Sequence, residues 1–321
     1  MICKICDHPV SSPPRKVKEM MFGMRTEHDY FECPQCEALQ IAQVPDDLEK
    51  YYPDNYYSFR PQPPKNIDTT LLRKIKSSYL LYGKNKIAGS LLSIGYKIPG
   101  YTTWLKHAQV QYNDAILDAG SGSGDILVHY CRAGFTNLLG IDPYLKNEFI
   151  SGNKKLRLLR KSLFDELTPV RFDFVMLNHS FEHMDEPHKV FKRLSELVKP
   201  GKFLLVRIPL NRSYASNVYG VHWVDWDAPR HLILHSVKSM QLLADRHGFE
   251  TKQIIYDSTA FQFWGSEQYK RGISLHDERS YAVNKQRSVF SADEINNWKK
   301  MSAELNKKAE GDQASFFLQR K

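Results

Sequence analysis

No uninterrupted apolar run in this 321-residue chain approaches the roughly 20 residues that a membrane-spanning helix needs. No leader-like pattern precedes Cys3 either, so the chain reads as intracellular, with a cytoplasmic location expected. Acid is scarce in one segment: from Lys65 to His107 there are eight basic residues and a single acid, Asp68. That segment carries most of the net charge of +9. Such a balance suits a phosphate-bearing partner or an anionic membrane surface, although a solvated helix face has the same composition. An apolar content of 42% and a charged content of 25% are those of a globular protein. The length admits one large domain with an appendage, or two domains.

Cysteine is nearly confined to the N-terminus. Four of the five form two pairs, Cys3-x-x-Cys6 and Cys33-x-x-Cys36, separated by 26 residues. Each pair can turn two thiolates toward one ion, and four sulfurs complete the tetrahedron of a structural zinc. The long spacing places the two knuckles on separate hairpins. A segment this short has little core of its own, and a metal is the usual staple. Four cysteines leave no open position for catalysis. Cys131, the fifth, falls on the apolar face of a predicted helix and reads as a core residue.

The stretch Ala115 to Tyr144 organises the rest. An apolar run, Ala115-Ile116-Leu117, ends in Asp118; Gly120, Gly122 and Gly124 follow, then a helical pattern, then Leu138 to Ile141 ending in Asp142. That is strand, glycine loop, helix, strand and acid, one half of a nucleotide-binding α/β sheet. The chain lacks the G-x-G-x-x-G spacing that brings a helix under a pyrophosphate; it has G-x-G-x-G with an acid two residues ahead. An acid at a strand end suits a cationic or amine-bearing ligand better than a pyrophosphate. Asp142 follows Gly120 by 22 residues, near the spacing at which a carboxylate meets ribose hydroxyls.

DAGSGSG followed by GIDPY resembles the first two motifs of class I S-adenosylmethionine-dependent methyltransferases. The block LNHSFEHMDEPHKVFKRLSELVKPGKFLLVRIP resembles their fourth and fifth motifs, and Trp226-Asp227-Ala228-Pro229-Arg230-His231-Leu232 and Met240 to Phe249 extend the likeness. It runs from about Ala115 to Ile255, and an N-terminal cysteine ribbon also occurs in sugar-modifying relatives. The resemblance implies an α/β fold: a doubly wound, Rossmann-like, mostly parallel seven-stranded sheet with a small N-terminal zinc-binding segment. It places S-adenosylmethionine against Asp118, Gly120, Ser121, Gly122, Gly124, Asp142, Pro143, Ser162, Leu163 and Asn178. At the adenine position the family often has Asp; here Ser162 stands there, with Asp165 three residues on.

Three units are expected: 1–44 as the zinc-ribbon-like segment, 45–108 as linker and helical cap, and 109–321 as the methyltransferase domain. The Tyr- and Pro-rich stretch Tyr51 to Pro64 reads either as a packed connector or as an aromatic substrate rim. Leu71 to Trp104 reads as short helices broken by glycines and Pro99. Within the third unit, 211–230 is expected to form a substrate lid, with Tyr214, Tyr219, Trp223 and Trp226 stacking on a ring and Arg230 binding a phosphate or carboxylate, a plain packing loop being the alternative. Residues 261–310 form an insertion that holds a helix started by a Ser291/Glu294 capping box.

Methyl transfer to a hydroxyl or carbon acid needs a base near the C-terminal strand ends. His183 and His231 are the first candidates and Glu182 the next, His183 as base or acceptor orienter and His231 as base or anion ligand. Glu182 and His183 would suit a divalent metal, but no third ligand adjoins them in sequence. The acceptor expected is a small molecule, a sugar nucleotide or a lipid-linked glycan intermediate, with peripheral membrane contact an open reading. RNA methylation is disfavoured, because Asn178-His179-Ser180 replaces the Asn/Asp-Pro-Pro-Tyr type and no basic-aromatic RNA module is visible. A catalytically inactive zinc-ribbon interaction protein is the remaining alternative, against which the intact glycine loop argues.

Overall fold

The computed structural model describes residues 1–53, 63 and 66–321. The connector read at 51–64 lies largely outside these described residues, as does Lys65.

The chain opens with a small antiparallel sheet: β1 (Arg15–Lys18), β2 (Glu27–Glu32) and β3 (Leu39–Ile41). A cap of three short helices follows, α1 (Leu71–Tyr82), α2 (Lys86–Leu91) and α3 (Gly100–His107). Thr70 caps the first by accepting from Arg73 N, and Gly83 ends it at φ +66°, the left-handed conformation that glycine adopts without strain.

The large sheet begins at β4 (Ala115–Ala119), then α4 (Asp125–Ala133), β5 (Asn137–Ile141), β6 (Phe149–Ile150), β7 (Leu156–Leu159), β8 (Phe172–Asn178), α5 (Pro187–Leu197) and β9 (Val198–Pro209). After α6 (Tyr214–Tyr219) and β10 (Ile233–Leu234) come α7 (Val237–Arg246), β11 (Phe249–Tyr256), α8 (Phe261–Lys270), α9 (Ala292–Lys307) and β12 (Gln313–Arg320). The strand order is β11-β12-β9-β8-β4-β5-β7-β6. β12 runs antiparallel between β11 and β9, and β4, β5, β7, β8 and β9 run parallel. Among the described residues the sheet thus has eight strands; the one beyond the expected seven is β6, two residues paired antiparallel to β7. β9 begins at Val198, directly after α5, with a register shift against β8 between Phe172 and Phe174.

Parallel strands are covered on both faces and read as unbroken apolar runs. In β4, Ala115, Leu117 and Ala119 enter the core under α5 and α7, while Ile116 enters the opposite core with α3 and α4. Cys131 is buried in that second core. In the insertion, α9 carries the expected Ser291/Glu294 capping box.

The N-terminal segment is not a freestanding bead. β3 pairs antiparallel with β10, which completes a four-stranded sheet with a strand some two hundred residues further along the chain. Cys3, Ile5, Val17 and Tyr30 share one core with Phe181, Phe191 and Trp226. Behind this join sits Arg230, fully buried. Its guanidinium donates to Asp227 at 2.6 Å, to Glu19 Oε1 at 3.0 Å and to the Tyr51 carbonyl at 3.0 Å. Burial alone would raise the Asp227 carboxyl, but Arg230 and His231 outweigh it and hold it at about 2.

Two expectations for 211–230 are overturned by this packing. Arg230 is not available to a substrate anion, because every face of its guanidinium is taken inside the core. Trp223 and Trp226 are buried and do not present rings to a ligand; their indole N–H groups donate to Asp312 at 3.0 Å and to the Gly220 carbonyl at 2.8 Å. The insertion reinforces the join, with Leu275 N and His276 N donating to the Met20 and Met21 carbonyls.

Glu19 accepts from Phe22 N, Met24 N and Arg230. Truncating one partner of a buried ion pair leaves uncompensated charge, so Glu19→Ala should cost about 3 kcal/mol. The exposed Glu27→Ala, whose partner is Lys18, should cost less than about 0.5 kcal/mol. Denaturant melts of both variants check this.

Candidate active site

The site forms where β4, β5, β7 and β8 end. A cavity of about 330 Å³ is lined by Gly120, Asp142, Pro143, Ser162, Leu163, His179, Ser180 and His183, together with Tyr52, Tyr144, Lys161 and Met184. It lies outside the carboxyl ends of the strands, where open α/β sheets take ligands.

Gly120, Gly122 and Gly124 have φ of +81°, +50° and +78°, so the loop needs residues without a Cβ. Packing adds to the requirement. A Cβ on Gly120 would lie 2.4 Å from Ser180 Cβ, and one on Gly124 2.6 Å from Leu158 Cδ2. Asp142 ties the loop to β5: its Oδ2 accepts from Gly122 N at 3.0 Å and its Oδ1 from Tyr144 N at 2.9 Å. Each oxygen keeps a second lone pair, which is what a ribose diol would use.

Asp118 is buried beneath the loop, and its Oδ1 has no hydrogen-bond partner; the buried Ser121 Oγ has none either. Burial, and then the neighbouring Asp142, push the Asp118 carboxyl up to about 8. A buried acceptor without a donor costs free energy, and an amine arriving at the glycine loop would supply the missing donor. Ser162 stands in the cavity wall, with its N–H on Asp165 and its hydroxyl accepting from Phe164 N at 3.2 Å. Asn178 takes a different place. It ends β8 outside the cavity lining, and its amide oxygen accepts from Arg207 at 3.1 Å.

Glu182 is fully buried on a 3₁₀ turn after β8. Arg207 donates to His179 Nε2 at 2.6 Å, which leaves His179 Nδ1–H to face Glu182 Oε1 at 3.3 Å. Burial opposes the Glu182 charge, but the His179 hydrogen bond and, in the acid range where they are protonated, the charges of His179, His183 and His231 override it and hold the carboxyl at about 2.

The two candidate histidines are oriented alike. His183 Nδ1 lies 2.8 Å from the Arg230 carbonyl, and His231 Nδ1 lies 2.7 Å from the Asp225 carbonyl. A carbonyl only accepts, so each Nδ1 carries hydrogen, and a neutral His183 presents a lone pair on Nε2. The rings stand 4.9 Å apart, centroid to centroid. Only His183 lines the cavity; His231 sits behind it, buried, with Nε2 3.9 Å from Glu182 and 3.7 Å from Asp227. Burial and then His231 push the His183 pKa down, which keeps that imidazole neutral.

Glu182, His183 and His231 bring one ligand atom each within 4.8 Å of one another. The third member, missing from the local sequence, arrives from 48 residues along the chain. Among the described residues Cys3, Cys6, Cys33 and Cys36 form the second such group. Sγ separations of 3.5 Å for Cys3–Cys36 and for Cys6–Cys33 are close to the edge of a zinc–thiolate tetrahedron, roughly 3.8 Å for 2.3 Å bonds. The two knuckles match: Asp7 N and Glu37 N donate back to the Cys3 and Cys33 carbonyls.

The methyltransferase domain family matches residues 83–254. No curated protein matches the chain. Among solved structures it is similar to a Galdieria sulphuraria protein assigned provisionally as a sarcosine dimethylglycine methyltransferase, with 13% identity and a TM-score of 0.45 over 85% of this chain and 98% of that one. It is also similar to the cyclopropane synthase MmaA2 of Mycobacterium tuberculosis, with 14% identity and a TM-score of 0.44 over 78% and 99% of the two chains. A SAM-dependent methyltransferase from Archaeoglobus fulgidus shows 16% identity and a TM-score of 0.41 over 68% and 92%.

Because the folded pKa of Asp118 lies above its unfolded value, this group's stabilising effect is lost as pH rises toward about 8. Asp118→Asn should therefore melt higher than the parent near pH 8, with the gain shrinking toward about pH 5, while binding S-adenosylmethionine far more weakly. A variant less stable at every pH would contradict the assignment.

Proposed function

The chain belongs to the methyltransferase domain family, as a class I S-adenosylmethionine-dependent methyltransferase with an N-terminal four-cysteine segment, and from that premise we propose that it methylates an oxygen or carbon of a small molecule, a sugar nucleotide or glycan intermediate. The observation that carries this reading is a neutral imidazole, His183, in the wall of the cavity that Asp142 also lines. An amine acceptor is a nucleophile already; a hydroxyl or carbon acid must lose a proton, and a positioned base serves that need.

At the donor end the orphaned Asp118 oxygen fits an ammonium group, Asp142 fits the ribose diol, and Pro143, Leu163 and Ser162 form the bed for the base. Bound there, S-adenosylmethionine supplies an electrophilic methyl on a sulfonium. His183 then takes the acceptor proton on Nε2 while its Nδ1–H stays on the Arg230 carbonyl. The Glu182 carboxylate, kept ionised in a dry setting, stabilises the imidazolium as it forms, and the His179 Nδ1–H holds Glu182 in place. Lys161 in the cavity wall offers a cation to a phosphorylated acceptor. Cys3, Cys6, Cys33 and Cys36 would hold a structural zinc that ties the two knuckles of residues 1–44 to each other. The helical cap in 45–108 covers the sheet.

Incubation with methyl-labelled S-adenosylmethionine and a panel of sugar nucleotides should label at least one. His183→Ala should lower the turnover of that acceptor by about 10²–10⁴-fold with donor affinity unchanged. Undiminished turnover in the variant would remove His183 as base, and labelling of amines alone would overturn the acceptor class.

A further inference from the structure

The α1–α2 hairpin lies outside the machinery described above. Residues 69–113 contain no Asp or Glu, yet they carry Arg73, Lys74, Lys76, Lys84, Lys86, Lys97 and Lys106. One side of α2 is fixed by Gly89, where a Cβ would lie 2.2 Å from Tyr79 Cβ on α1. Ile87, Leu91 and the following Ile94 stand at helical spacing on the side away from that contact. They are 82%, 64% and 78% exposed. Leu71 and Leu72, at the start of α1, are 75% and 60% exposed.

Single exposed apolar side chains are ordinary, but a stripe of large ones on an acid-free, lysine-rich hairpin is not. Beside the hairpin, a cavity of about 240 Å³ between α1, α3 and α4 is lined by Arg73, Lys76 and Arg132. Lys76 Nζ lies there, 3.7 Å from the centre of the Tyr96 ring. His129, in the same wall, is pushed toward its neutral form by burial and then by Lys76, Arg132 and Arg73.

We propose that the α1–α2 hairpin docks on an anionic lipid bilayer. Ile87, Leu91 and Ile94 enter the boundary between headgroups and acyl chains, and the lysines flanking them meet lipid phosphates. The Arg73/Lys76/Arg132 cavity receives the phosphate of one lipid. The occupant follows from charge and shape together. A second copy of this chain, itself basic on this face, would bring like charges into contact, whereas an anionic bilayer meets both the stripe and its cations. This surface stands independently of the acceptor assigned above.

Co-sedimentation of the full chain with vesicles tests it, using phosphatidylcholine alone or with about 30% phosphatidylglycerol. Binding to the anionic vesicles should exceed binding to the neutral ones by about tenfold or more at low salt and weaken as salt is added. Ile87→Ser, Leu91→Ser and Ile94→Ser together should lower it by a similar factor with affinity for S-adenosylmethionine unchanged, and so should Lys84→Glu with Lys86→Glu. Equal binding to both vesicle types, or undiminished binding by both variants, would overturn the proposal. So would a dimer in light scattering that the triple substitution dissociates, with no protein in the vesicle pellet.

Discussion

A guanidinium shut away from water sets the terms for much of this molecule. Arg230 is compatible with burial only because Asp227, Glu19 and the Tyr51 carbonyl surround it. Two of those partners come from the N-terminal quarter of the chain, so the cysteine segment completes the environment of a residue in the catalytic domain. The backbone of Arg230 in turn accepts from His183, and Tyr30 donates to the backbone carbonyl of His231 at 2.9 Å. The four-cysteine segment and the histidine pair are therefore two ends of one hydrogen-bonded structure. A metal at the cysteines would help, through this connection, to fix where the imidazoles point.

The site also holds an unresolved cost. Asp118 is buried near Asp142 with an oxygen that nothing satisfies. Evolution for stability alone would replace it, since buried carboxyls without donors weaken a fold. Its presence fits a ligand that brings a positive donor to that point. Glu182 is the counterpart, equally buried yet kept charged by three histidines. Two carboxyls in one region are driven in opposite directions by their surroundings, the pattern expected where one end of a site takes the donor and the other a proton.

The parts legible in the sequence were those encoded locally. The glycine loop, the acids at the ends of β4 and β5, and the cysteine knuckles each declare themselves within a few residues. The capping box of α9 does the same. What escaped reading depends on distant contacts. Trp223, Trp226 and Arg230 look like the lining of a substrate lid, because aromatic rings and a cation in a long loop usually are. Here Tyr30 and Glu19, some two hundred residues earlier, convert them into core. His231 joins Glu182 and His183 only because β10 pairs with β3 and returns the loop to β8. The added strand β6 has two residues, too few to show a period.

The most direct measurement is calorimetric titration of the metal-loaded protein with S-adenosylmethionine, alongside Asp142→Ala. Both oxygens of Asp142 are oriented by backbone N–H groups at the cavity wall, so the account predicts saturable binding by the parent. Losing charge-assisted hydrogen bonds to the ribose should weaken it by at least about tenfold in the variant. An absence of binding by well-folded protein, or equal affinity in both proteins, would contradict the account.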